Sequence, residues 1–176
     1  LRILLFGITT ITAYTVISEY FVPSLNQLGV SFVFIGIVAA TEALFFSLGS
    51  LISQKIKGVD KKRVYTILSL FMGLFLFLIT SATVLSVIIG FLVLRTIKAI
   101  SEIVTMEDWQ NHVESAQRAT TISINSFVKN LVYILVGILF GKIADTFGLF
   151  KGFYLASAMS FSYLILSKIS RLKQSD

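Results

Sequence analysis

The sequence predicts an all-α, polytopic membrane fold with six transmembrane helices, on three observations. Of its 176 residues 56% are apolar and only 14% charged, where a soluble domain carries about 25% charged residues. Six stretches are each long enough to cross the hydrocarbon, which takes about 20 mostly apolar residues. The cations cluster in alternate links between those stretches. A transmembrane β-barrel would alternate apolar and polar residues in segments of about ten. The run "LSLFMGLFLFLI" does not alternate, so helices are expected.

The first expected span, residues 3–22, opens "LRILLFG" and has no small-residue cleavage site, so it reads as a span and not a removable signal. The absence of a leading Met points to a start inside a longer protein. A link "VPSLNQLG", with Pro23, Asn26 and Gly29, leads to the second span at 31–52, whose Gly36, Ala40, Ala43 and Ser47 form a stripe of small residues. The charged link "QKIKGVDKKR" precedes the third span at 64–81, and the minimal "TSAT" precedes the fourth at 83–105. The longest link, "MEDWQNHVESAQ", is acidic and holds the only Trp and the only His. The fifth span, 118–141, carries Ser126, Asn130, Tyr133, Gly137 and Gly141 on one stripe, ending in a Gly-x-x-x-Gly suited to close helix approach. The sixth is 150–168.

Orientation follows from the cations. Arg2, the run Lys55, Lys57, Lys61, Lys62 and Arg63, then Arg118, Lys168, Arg171 and Lys173 fall on one side, and Lys142 and Lys151 on the other. Short cytoplasmic loops retain Lys and Arg, so both termini and the second and fourth links are expected in the cytoplasm. The basic run reads as topology and contact with anionic lipid headgroups, not as a nucleic-acid patch. Trp109 is expected to anchor its loop at the headgroup level, and His112 to be a solvated loop residue. There is no Cys and no second His to complete a transition-metal site, and no metal or cofactor is expected.

Charged side chains inside a span usually face a cavity or a partner. The third and sixth spans have none away from their ends. Glu19 lies near the end of the first span, Glu42 in the middle of the second, Arg95, Lys98 and Glu102 in the fourth, and Lys129 in the fifth. Arg95, Lys98 and Glu102 stand at i, i+3 and i+7 on one face, and Lys98 can pair with Glu102. Two readings stand for that pair, a structural ion pair near the boundary or part of a cavity. Glu19 either reaches outer water or joins the cavity. Lys129 pairs either with Glu42 or with a partner outside this chain. Four helices with polar faces and two without describe a bundle around a wet path, with two lipid-facing outer helices.

These residues resemble the second six-helix half of the major facilitator superfamily. "RATTISINSF…GILFGKIADTFG" is similar to that family's helix eleven through Arg118, Ala119, Thr120, Ser123, Ser126, Gly141, Asp145 and Gly148. "GSLISQKIKG" is similar to the loop between helices eight and nine through Gly49, Ser53, Lys55 and Gly58, with Gln54 where the family has an Asp. "LRTIKAI" resembles the Arg-containing stretch of helix ten, with Arg95 in the matching place.

The resemblance implies two inverted three-helix repeats, half of a twelve-helix transporter. Its missing N-terminal six-helix half, or a second copy, would complete the cavity. It implies a secondary active transporter that moves a small molecule by alternating access, as ion- or proton-coupled efflux through an antiporter in the plasma membrane. Glu19, Glu42, Arg95, Lys98, Glu102, Ser126, Lys129 and Asn130 are then the cavity and coupling candidates. Gly49, Gln54, Lys55, Gly58 and Arg118 are the loop and gating candidates. No Walker sequence is present, so ATP is not the expected fuel. No span holds an Asp pair or a Ser–His arrangement, so an enzyme is not expected. An oligomeric six-helix channel and a non-transporting scaffold are the alternatives.

Overall fold

The computed structural model describes residues 2–56, 58–113 and 115–172. They form helices joined by short turns, with no strand among the described residues. We number the helices α1 (Arg2–Ser18), α2 (Phe21–Gln27), α3 (Phe32–Lys55), α4 (Lys61–Ile79), α5 (Val84–His112), α6 (Ser115–Phe147) and α7 (Leu149–Leu172). Five are long and apolar enough to cross a membrane, and α1 with α2 makes a sixth, bent by 49°. The fold is that of a helical integral membrane protein.

Local chemistry sets the boundaries. α1 contains a π-helical turn, Gly7–Ile11, where the Thr12 hydroxyl donates to the Gly7 carbonyl at 3.1 Å. Glu19 and Tyr20 form the bend into α2, and Pro23 is accommodated in the first turn of α2, where a backbone donor is dispensable. Gly29, at φ 77°, closes α2 as Val30 N–H donates to the Leu25 carbonyl at 3.1 Å. The stretch expected to be an irregular link is therefore mostly helix. Side chains of Ser31, Asp60 and Thr83 accept from the first turns of α3, α4 and α5, and Thr83 and Ser86 cap each other reciprocally. Gly148, at φ 94°, turns α6 into α7.

The helices pack side by side in the order α3, α5, α4, α7, α6, with α1 laid against α4, α5, α6 and α7. Close crossings use glycine. A Cβ at Gly49 of α3 would lie 2.5 Å from the Thr96 carbonyl oxygen of α5. A Cβ at Gly73 of α4 would strike the Phe161 ring of α7. Hydroxyls reinforce these crossings: Ser157 donates to the Gly73 carbonyl and Ser160 to the Ser69 carbonyl, both at 2.9 Å, and Thr10 of α1 meets the Ser69 hydroxyl at 2.6 Å. Phe6 of α1 stacks on Tyr65 at 4.6 Å and meets the edge of Tyr163 at 5.5 Å, so the core joins α1, α4 and α7.

Three expectations need correction. The acidic "loop" at 106–117 is largely two helix ends: α5 continues to His112 and α6 begins at Ser115. The helices with least burial are not the charge-free third and sixth spans but α6 and α3, with 11% and 17% of their most apolar stretches buried, against 44% for α4 and 33% for α7. The serine–glycine crossings between α4 and α7 account for the reversal. The small-residue stripes are also open: Gly36, Ala40, Ala43 and Ser47 are exposed, and a Cβ at Gly137 or Gly141 would meet nothing within 4 Å.

Candidate functional site

The polar face of α5 is the centre of the site. Helical spacing places Arg95, Lys98 and Glu102 on one face, and Lys98 pairs with Glu102 at 3.0 Å. The half-buried Arg95 donates through Nη1 to the Tyr14 hydroxyl of α1 at a long 3.4 Å. Its guanidinium lies 5.0 Å from the Phe46 ring centroid of α3, and Lys98 Nζ lies 5.7 Å from that of Tyr14. Arg95 Nε is buried with no hydrogen-bond partner. Glu42 is half-buried and within electrostatic reach of Arg95, without an ion-pair contact between them.

Between α1, α5 and α6 lies a cleft of about 320 Å³, lined by Gly7, Lys98, Glu102, Trp109, Asn125 and Lys129 among others. Lys129 does not pair with Glu42; its charged neighbours are Lys98 and Glu102. Gly7 packs beside this pair: a Cβ at its position would sit in van der Waals contact with Lys129 Cδ at 3.4 Å and Asn125 Oδ1 at 3.8 Å. Asn125 is 5% exposed and its Oδ1 has no hydrogen-bond partner. The cleft-facing residues of α6 are Ile122, Asn125, Ser126 and Lys129, at helical spacing.

A second cleft of about 680 Å³ opens at the basic end, where Arg2, Lys61, Lys62, Tyr65, Asp108 and His112 converge. Lys61 bridges to Glu107 at 2.8 Å. Asp108 is buried; it accepts from the Tyr65 hydroxyl at 2.7 Å and pairs with His112 Nδ1 at 3.0 Å. Ile3 and Trp109 line both clefts, so together they form the partition between them.

The structure therefore brings together Lys98, Glu102, Ser126 and Lys129 in one cleft, and sets Arg95 with Tyr14, Phe46 and, at longer range, Glu42 in a separate cluster. It does not bring in Glu19, exposed at the α1–α2 bend, or Asn130, exposed and absent from the cleft. Gly49 is a helix-crossing residue, and Gln54, Lys55 and Gly58 are exposed at the basic end. Arg118 belongs to α6, but its side chain, like Lys57 and Lys173, lies outside the described residues. Trp109 is a cleft wall, not a free loop anchor, and the exposed His112 is tied to Asp108. Sequence reasoning missed Tyr14, Phe46, Tyr65, Asp108 and Asn125. Only Asn125 carried a usable signal, being four residues before Lys129 on the same helix face. Among the described residues, no three His, Cys, Asp or Glu side chains form a metal-ligating group.

The chain matches no protein-family profile, no curated protein and no solved structure.

Proposed function

We propose that the chain is half of a secondary active transporter, with two inverted three-helix repeats, that moves a small molecule by alternating access. One observation carries this reading. Lys98 and Glu102 of α5 and Lys129 of α6, all within apolar helices, line one cleft, and Arg95 of α5 lies within electrostatic reach of Glu42 of α3. Intramembrane charges arranged in this way mark substrate or ion pathways. Glu42 and Glu102 are the carboxylates placed to carry a coupling proton, and Arg95 the cation placed to respond to it. The exposed flanks of α3 and α6, with their open small-residue stripes, support pairing with a second six-helix bundle, either an N-terminal half or another copy. The cation distribution favours both termini in the cytoplasm, and the resemblance to the major facilitator superfamily favours efflux across the plasma membrane. The site supports binding and translocation.

The test uses vesicles containing the full-length protein, an imposed proton gradient and a labelled panel of small organic anions, cations and neutral compounds. Transport should be saturable and should disappear when the gradient is dissipated. Linear flux insensitive to the gradient would favour an oligomeric channel, and no flux of any compound would favour a scaffold.

A further inference from the structure

We infer that the cleft between α1, α5 and α6 binds a small amphiphilic monoanion carrying a hydrogen-bond donor beside its acid group. This rests on the transporter reading for its role as a substrate site, but not for binding itself. The charge balance is the first ground. Lys98 and Glu102 neutralise one another at 3.0 Å, whereas Lys129 has no carboxylate at ion-pairing distance among the described residues. The three groups line one cleft and sum to a single positive charge. Lys129 lies ten residues into the Ala119–Phe147 helix, about 15 Å along its axis, and is half-buried. Even a half-buried charge gains from a partner, so one anionic group on the ligand matches the site.

Asn125 supplies the second ground. Its buried Oδ1 is an acceptor without a donor, on the turn of α6 preceding Lys129. An acid group satisfies Lys129 but offers no proton to Asn125. A hydroxyl or amide N–H adjacent to that acid group satisfies both. The third ground is the wall: Ile3, Ile11, Met106 and Trp109 supply an apolar surface for the rest of the ligand. At about 320 Å³ the cleft is at the small end of ligand pockets.

Trp109 is the only tryptophan among these 176 residues and lines the cleft, so it reports binding without any transport. In vesicles of the full-length protein, mandelate (an aromatic 2-hydroxy acid) should change Trp109 emission saturably, and Trp109→Phe should remove that change. Phenylacetate, which lacks the hydroxyl, should bind more weakly. 2-Phenylethylammonium and phenylethane-1,2-diol should give no saturable change. Lys129→Gln should weaken mandelate binding about tenfold or more, with Lys129→Arg restoring much of it. Asn125→Leu should abolish the preference for mandelate over phenylacetate.

A response to the cation equal to that for mandelate would overturn the inference, as would mandelate binding unchanged in Lys129→Gln or no saturable response to either acid. Mandelate binding without gradient-driven flux would leave the inference standing and remove the transporter reading. Gradient-driven flux of cations with no response to either acid would do the reverse.

Discussion

Arg95 donates to the Tyr14 hydroxyl and lies over the Phe46 ring, and neither contact neutralises its charge. A planar guanidinium can donate from its edge to Tyr14 while its carbon lies over Phe46, which a single compact ammonium does less well. Arg95→Ala should abolish gradient-driven transport with membrane insertion intact, and Arg95→Lys should retain only a minor fraction. Normal flux in the alanine variant, at equal protein level in the membrane, would reject a transport role for this residue. Asp108 has a different task, because its partners bind it tightly at the basic end. Tyr65→Phe removes a hydrogen bond to a buried carboxylate and should destabilise the protein by about 1.5–3 kcal/mol, seen as a lower melting temperature in detergent. An unchanged melting temperature would show that His112 alone satisfies Asp108.

At the scale of helices, the spans were legible because each holds an apolar run of membrane length, and such runs leave little choice of secondary structure. Three features were not legible, for physical reasons. The acidic stretch before α6 looked like a loop because its polar residues lie beyond the apolar run, yet nothing in "MEDWQNH" breaks a helix, and α5 simply continues. Helix phase on α6 was misjudged because Asn130 and Asn125 are equally polar; only packing against Gly7 selects the second. Glycine spacing also misled, since Gly137 and Gly141 have the familiar four-residue interval but no neighbour, while isolated Gly49, Gly73 and Gly90 make the tight crossings. Gly49→Val should therefore separate α3 from α5 at a cost of about 1–3 kcal/mol. Gly137→Val should leave the melting temperature of this bundle nearly unchanged. Comparable losses in the two variants would contradict this division.

For the molecule as a whole, the basic residues of separate helices converge around one cleft, which gives the charge asymmetry of the sequence a physical end. Because there is no native cysteine in this chain, single cysteines at Lys61 and Lys142 should react with an impermeant thiol reagent from opposite faces of the membrane. Labelling of both from the same face would overturn the six-span topology. The helix that ties the assembly together is α1, and its π turn has a consequence for the entire core. The turn accommodates one residue more than an α-helix would over the same rise. If it tightened into regular α-helix, everything before Gly7 would rotate by about 100° and advance by about 1.5 Å. Phe6 would leave its slot between Tyr65 and Tyr163, and Ile3 would swing off Trp109. A chain lacking Ile8, by contrast, could run as unbroken α-helix with Phe6 still in place. The loose turn thus acts as a spacer that sets the azimuth of the first helical turns, and with it the wall between the two clefts.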